Sequence, residues 1–428
     1  MYPSPRLPPG TGMMVGMTPG GEDERTRVVV IGAGQAGLSV SWYLRRLGLE
    51  VGRDLVVLDR GPGTGGAWQH RWESLRLGAA HRVHDLPGMA DLGLGFAAAD
   101  RSAPARDVVA EQYARYEQAL GLDVRRPVEV TGVTGLGGGF SVRWAGRASS
   151  GGGVAEAEAE AEAEAEAEAE AGAGAAGAVG AAAVSTGVLL AEVVVNATGT
   201  WGDPFVPWYP GRDTFRGRQL HTSDYHAATD LEGLDVVVVG GGTSAIGFVL
   251  ELDGVAASTT WVSRRPVDWL DQGELDVESA VAAVAEQDRA ARAGRALPSI
   301  VSGTGVPRTR RFVSGIERGV LVERPVFTSI EPDGVRWADG TFAHADAIVW
   351  ATGFRPELRH LAPLGLRSAE GGVSVEGGAS TLDPHLFFAG YGPQASTIGA
   401  NRAGRAIARQ VVARLSEQDA ERRGRGRG

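Results

Sequence analysis

Apolar residues fall along the chain in short runs separated by glycine-rich turns, and the spacing of these runs predicts an α/β fold. Arg27 to Ile31 is the first run; after a glycine-rich turn, Val40, Leu44 and Leu47 recur at helical spacing, and Gly48 can stop that helix. A second run, Asp54 to Leu58, follows, so Arg27 to Asp59 reads as a compact strand-turn-helix-strand unit. The plan returns later with Val236 to Val239 as strand, Gly240 to Gly242 as turn, Ile246, Val249 and Leu250 as a helix face, and Thr259 to Ser263 as the next strand. Two such units predict two nucleotide sites. Between them, Phe140 to Trp144 alternates as a strand and Leu189 to Val195 is a continuous apolar strand. The joining segment is low complexity, with Ala-Glu repeats from Ala155 to Glu170 and then Ala and Gly as far as Gly187. Glutamates four apart repel and nothing apolar is available to pack, so a solvated insertion in a hairpin loop is expected, a tolerated expansion rather than a partner-binding arm.

Composition removes whole classes of chemistry. With 428 residues, 43% hydrophobic and 22% charged, the chain can bury ordinary globular cores. It has no Cys, which excludes disulfide scaffolds, thiolate metal sites and redox thiol pairs, so any redox chemistry must sit on a cofactor. Every basic residue except His is Arg, which excludes Schiff-base and Walker-type lysines. Eight glutamates of the repeat account for most of the net charge of -10, leaving the rest nearly neutral and without electrostatic reason to seek nucleic acid or an anionic membrane. The opening residues are broken by Pro and Gly and lack the apolar core of a secretory signal. Ala171 to Ala191 is about long enough to span a bilayer, but its Ala and Gly gain little from lipid. A cytoplasmic protein is expected, and the terminal ERRGRGRG is expected to be a solvated tail.

The turns carry the candidate chemistry. Gly32-Ala33-Gly34-Gln35-Ala36-Gly37 is a G-x-G-x-x-G between strand and helix, where glycines let backbone N–H groups approach a pyrophosphate at a helix N-terminus. Asp59, followed by Arg60, ends the second strand where a carboxylate can accept both hydroxyls of a ribose. Gly240-Gly241-Gly242-Thr243-Ser244-Ala245 repeats the turn with Ala last, and its second strand ends in Ser263-Arg264-Arg265. Two guanidiniums in place of an acid suit a 2′-phosphate and favour NADPH over NADH. His81 and His84 form H-x-x-H, but no third ligand follows, so no metal site is expected.

Asn196-Ala197-Thr198-Gly199 and Trp350-Ala351-Thr352-Gly353-Phe354-Arg355-Pro356 match each other, each closing an apolar strand. In this order of motifs the chain resembles the two-dinucleotide-binding flavoproteins, in which the first site holds FAD, the second a nicotinamide dinucleotide, and the ATG segments cross between two Rossmann-like domains. Phe215-Arg216-Gly217-Arg218-Gln219-Leu220-His221-Thr222-Ser223-Asp224-Tyr225 is similar to the linker motif of flavin-containing and related class B monooxygenases. Gly65-Gly66-Ala67-Trp68 with Trp72 to Leu77 resembles the family's segment beside the flavin, and Phe388 to Gly392, with Gly390, its C-terminal flavin segment. As bare chemistry His221 reads as a structural histidine. Gly78 stands where amine- and sulfide-oxygenating members carry Asn, and Tyr225-His226 departs from the Baeyer-Villiger pattern. After Ser396 to Asn401, a helix with Ile407, Val411 and Leu415 on one face could aim its N-terminus at the flavin pyrimidine.

Composition marks a flexible leader over 1–25, an insertion at 146–187 and a flexible tail over 417–428; for the rest the resemblance implies an FAD-binding domain discontinuous in sequence over 26–201 and 330–416, and a nicotinamide-dinucleotide domain over 202–329 that the arginine pair marks as NADPH-binding. The resemblance implies an NADPH-dependent monooxygenase using a C4a-hydroperoxyflavin on a small organic substrate and dioxygen, with a homodimer allowed. An NADPH:acceptor reductase or oxidase without oxygen transfer, and a non-enzymatic redox sensor, are the alternatives. No catalytic residue is assigned, because the substrate pocket belongs to no motif. The purified protein should be yellow and release FAD rather than FMN, since FMN lacks the adenosine ribose for which Asp59 is placed; chromatography of the released flavin checks this, and a colourless protein that FAD cannot reconstitute contradicts it.

Overall fold

The computed structural model describes residues 24–80, 83–147, 184–270, 277–298 and 305–425. In the first half of the chain the strands are β1 (Glu24–Ile31), β2 (Leu55–Leu58), β3 (Val124–Arg125), β4 (Val128–Leu136), β5 (Gly139–Arg147) and β6 (Val184–Asn196). The linker motif opens the second half with β7 (Arg218–His221), then β8 (Asp235–Val239), β9 (Ser258–Ser263), the short pair β10 (Trp269–Leu270) and β11 (Val306–Pro307), and β12 (Glu323–Pro325). A small antiparallel sheet of β13 (Ser329–Glu331), β14 (Gly334–Arg336) and β15 (Phe342–His344) precedes β16 (Ala347–Trp350), and the chain ends with β17 (Val375–Glu376), β18 (Ala379–Ser380), β19 (Leu386–Phe388) and a long helix, Thr397–Arg425.

Two parallel sheets follow from the two repeated units. In the first, β19, β6, β1, β2 and β3 lie side by side, with β17 and β18 extending one edge and the β4-β5 hairpin joined through β5 to β6. Val28 to Ile31 pair in register with Leu55 to Leu58, and both runs are buried on both faces, which is why they read as continuous rather than alternating. Leu38, Val40 and Leu44 of the helix Gln35–Arg46 share one core with Ile407, Val411 and Leu415 of the C-terminal helix, so chain ends remote in sequence cover one sheet face. The second sheet has the order β12-β9-β8-β16-β7.

At both turns the first glycine is required by contact. Gly32 has φ +103°, and a Cβ on it would stand 2.6 Å from the Ala197 carbonyl oxygen. Gly240 has φ +150°, and its Cβ would stand 2.3 Å from the Ala351 carbonyl oxygen. Ala197 and Ala351 are the alanines of the two ATG motifs, and their N–H groups continue the ladders, donating to Ile31 O and Val239 O at 2.8 Å each. Each ATG segment is therefore the lid over its own glycine turn.

Four boundaries expected from sequence move. Residues 330–350 do not belong with the first sheet: β16 lies between β8 and β7, Ala347 to Trp350 pairing with Val236 to Val239 on one side and Arg218 to His221 on the other. The expected insertion, 146–187, is too wide, because Gly146 and Arg147 continue β5 and Val184 to Gly187 begin β6, held antiparallel over Trp144 to Arg147. The remaining 148–183, with the Ala-Glu repeat, lies outside the described residues, as do 1–23; Glu24 and Arg25, assigned to the leader, begin β1. The expected tail at 417 is helical through Arg425, fixed by Asp419 on Arg27 at 2.8 Å and Arg422 on Glu192 at 3.0 Å. Among the described residues no helix is long and apolar enough to cross a membrane.

Replacing 149–182 by a short turn should leave the unfolding temperature within about 3 °C of the parent and flavin content unchanged, because loop closure depends only weakly on length. A deletion extended to Gly187 strips the start of β6 from Trp144 to Arg147 and should lower it clearly. Thermal scans of the two deletions side by side distinguish them.

Candidate functional site

The first glycine turn opens into a cavity of about 210 Å³. Its walls include Gly32, Gly34, Gln35, Asp59, Arg60, Trp68, Val128 to Val130, and Thr198 to Trp201. Gly34 is the N-cap of the helix Gln35–Arg46, and a Cβ there would meet only Gly66 Cα, at 3.8 Å, so the turn faces open space. On the helix side, a Cβ on Gly37 would stand 1.8 Å from Gly32 O, and Ala36 is buried. Gly390, at φ +78°, lies over Ala36, where its Cβ would be 3.1 Å from the Ala36 methyl. Gln35 joins three parts of the site: it donates to Asn401 Oδ1 at 2.9 Å and His84 O at 3.2 Å, and accepts from the buried Tyr113 hydroxyl. Burial pushes the Tyr113 phenol up, so it stays a donor.

Asp59 does more than the sequence suggests. One carboxylate oxygen accepts the Ala33 N–H at 2.6 Å, the other the Gly61 N–H at 2.8 Å. The acid thus fixes the glycine turn; Arg126 Nε lies 3.5 Å from the oxygen that holds Gly61, and the oxygen that holds Ala33 keeps a lone pair for a ribose hydroxyl. Arg60 bridges to Glu357 at 2.8 Å. Thr198 donates to Glu357 O at 2.8 Å, and the Glu357 N–H donates to Gly199 O at 3.0 Å, so the segment after the second ATG is stitched to the first.

His360 lies under this wall and no motif reveals it. Its Nε2–H donates to Asn196 Oδ1 at 2.8 Å, and burial, with Arg60 nearby, pushes its pKa down to about 4. It is therefore a neutral positioning group for the first ATG. These groups fit a dinucleotide: glycines open to the helix N-terminus, a strand-end acid with one oxygen able to accept a further hydrogen bond, and a neutral wall.

The second turn repeats the geometry without the acid. Gly242 caps the helix Thr243–Leu252, with Thr243 exposed, Ser244 half-buried and Ala245 buried beneath Gly240. Ser263 is buried, its single hydroxyl proton shared between Arg265 O at 2.6 Å and Glu323, whose carboxylate also accepts the Val267 N–H at 3.1 Å. Ser263 thus shapes the strand end, while Arg264 and Arg265 are exposed and make no ion pair among the described residues. Thr352 donates to Phe205 O, and Gly353 O accepts from Phe205 N–H at 3.0 Å, so this pair anchors the crossing segments instead of lining the first cavity.

His221 is satisfied on both nitrogens: Nε2–H donates to Gly353 O at 2.9 Å and Nδ1 accepts from Ser223 N–H at 3.3 Å. Burial lowers its pKa, which keeps it neutral. Glu251, also absent from any motif, accepts from Trp72 Nε1 at 3.2 Å, Ser74 Oγ at 2.7 Å and the Tyr225 hydroxyl at 3.2 Å. That carboxylate ties the expected flavin-side segment to the second unit's helix and to the last residue of the linker motif. One potential metal-ligand trio occurs among the described residues, Asp235, His344 and Asp346, with Asp346 accepting the Asp235 N–H at 2.9 Å and Asp235 the Ser258 hydroxyl at 2.5 Å.

The depressed pKa of His360 gives a signed pH dependence. As pH falls from the ordinary 6.5 toward about 4, the unfolded chain takes up a proton that the folded chain refuses, so stability falls across that window. The share of this one residue is at most ~3 kcal/mol. His360→Gln should flatten the slope of unfolding free energy against pH between these limits, read from urea titrations; an unchanged slope contradicts the assignment.

Comparisons with known proteins agree with this geometry. A family described as NAD(P)-binding Rossmann-like domain matches residues 30–89, and one described as pyridine nucleotide-disulphide oxidoreductase matches residues 181–291. A flavin-containing monooxygenase from Stenotrophomonas maltophilia is 30% identical, covers 91% of this chain and 99% of its own, and superposes with a TM-score of 0.68. The indole-3-pyruvate monooxygenase YUCCA4 of Oryza sativa subsp. japonica is 26% identical over 92% of this chain and 89% of its own. The uncharacterized oxidoreductase CzcO of Bacillus velezensis is 22% identical over 85% and 90%. Disulfide chemistry is closed to a chain without Cys. With two Rossmann-like dinucleotide-binding units joined by paired crossing strands, the chain belongs to the flavin-containing monooxygenase-like family and is a flavin-dependent oxidoreductase.

Proposed function

We propose that this enzyme is an NADPH-dependent FAD monooxygenase acting on a small organic substrate. The observation that carries the nucleotide choice is the pair of exposed guanidiniums, Arg264 and Arg265, at the end of β9 where the first unit has Asp59. They would meet a 2′-phosphate with charge-assisted hydrogen bonds and repel nothing. Gly32 to Gly37, Asp59, Thr198, Gly199 and Gly390 would hold FAD, and Gly240 to Ala245 the nicotinamide nucleotide. Bound flavin supplies hydride acceptance and reaction with dioxygen. The chain supplies orientation and exclusion of water. Neutral His221 holds the crossing strand through Gly353, and Glu251 holds the Trp72 to Ser74 segment against a buried Tyr225 and Phe248 cluster.

One observation favours the oxidase reading. At Gly78, where relatives that oxygenate amines and sulfides carry Asn, a Cβ would stand 3.0 Å from Arg101 O, so no amide side chain enters without a shift. Turnover under labelled dioxygen separates the two: a monooxygenase puts one labelled atom into product, whereas an oxidase returns all the dioxygen as peroxide.

An engaged guanidinium contributes roughly 1.5 to 3 kcal/mol and about 1.4 kcal/mol is tenfold in affinity, an effect that exposure and salt reduce. Arg264→Ala, the residue nearer the strand end, should raise the Michaelis constant for NADPH by about fivefold or more, leave that for NADH nearly unchanged, and retain FAD. Arg265→Ala should follow in direction. Equal effects on both nucleotides, or none, return the arginines to solvated surface charge.

A further inference from the structure

Arg71 belongs to neither glycine turn. Its guanidinium lies 5.7 Å from the Trp68 ring centroid and 4.5 Å from that of Trp201. Trp201 stacks on Phe354 at 4.7 Å, and Phe354 meets the His221 ring at 4.7 Å. The arginine therefore stands where the flavin-side segment meets the two crossing segments. Its backbone is pinned by donation to Trp68 O at 3.0 Å, and the next residue, Trp72, is fixed on Glu251. Among the described residues it has no ion pair and no side-chain hydrogen bond, and its buried Nε has no partner. Burial pushes its pKa down to about 10, so it remains charged at neutral pH.

Indole faces offset part of the cost of enclosing a cation, but they cover the faces of the guanidinium and leave its in-plane N–H groups to be met by an acceptor. An enclosed charge without a counter-ion marks a functional site more often than a structural one. We propose that Arg71 is an anion site at the junction of the two nucleotide units that takes the carboxylate of an organic substrate with an apolar body. Cofactor phosphates would have their own partners in the proposed sites, the helix N-termini after Gly34 and Gly242 and the pair Arg264 and Arg265. What remains for Arg71 is a third ligand, and the rings of Trp201 and Phe354 suit a flat apolar body beside the carboxylate. This assignment names a substrate class for the proposed oxygenation and rests on that reading.

The test is calorimetry on the FAD-loaded full chain without nicotinamide nucleotide, using phenylacetate, 3-phenylpropionate and phenylpyruvate, each against its methyl ester. At least one acid should bind tenfold or more tightly than its ester. Arg71→Gln, with Arg71→Met as a second uncharged variant, should abolish that preference while keeping one FAD per chain and a Kd for NADP⁺ within twofold. Absence of any acid preference in the wild type overturns the proposal. So does loss of FAD, or an equal weakening of NADP⁺, in either folded variant, since the anion would then be a cofactor phosphate. No turnover is needed, so an enzyme that only makes peroxide can pass, and one that oxygenates only neutral substrates fails here while its function stands.

Discussion

The structure depends on one close contact made twice: the first glycine of each nucleotide turn lies against the carbonyl of the alanine that ends a crossing strand. A Cβ at Gly32 or Gly240 would stand 2.6 or 2.3 Å from those oxygens, closer than real Cβ atoms approach. That contact fixes where strand gives way to helix and hence where the helix N-terminus points. It also fixes where the chain leaves the sheet, because the residues after Ala197 and Ala351 are the ones that cross.

From the crossings the rest follows. Glu357 returns from the second ATG to the first through Thr198 and Gly199, and His221 holds the second ATG through Gly353. Glu251 draws the Trp72 to Ser74 segment onto the helix whose other end forms the second turn. The two histidine joints are neutral. His221 and His360 are buried without charge, so each can be one fixed tautomer between fixed partners. Among the described residues, the guanidinium of Arg71 stands at the junction without a protein counter-ion.

The two repeated units and their turns were legible because strand, glycine and helix lie within about thirty residues of each other, where period and motif act locally. The placement of β16 was not, since Ala347 to Trp350 is an apolar run that suits either sheet and only its pairing with Val236 to Val239 decides. The start of β6 was hidden in small residues whose partner is Trp144, and the helical end of the chain in arginines whose partner is Glu192. Asp59 was found by spacing, but its grip on Ala33 depends on how the turn closes. Glu251, Glu323 and His360 were missed because their partners lie up to 179 residues away and no local pattern marks them.

If the two Gly–Ala contacts build two separate cofactor sites in one chain, damage to one turn should spare the other. Anaerobic rapid-mixing of Gly240→Ala with NADPH tests it most directly, read alongside flavin content. The variant should keep about one FAD per chain and still be bleached by dithionite, yet its reduction by NADPH should be slowed at least a hundredfold. Normal reduction by NADPH, or loss of FAD from this variant, would contradict it.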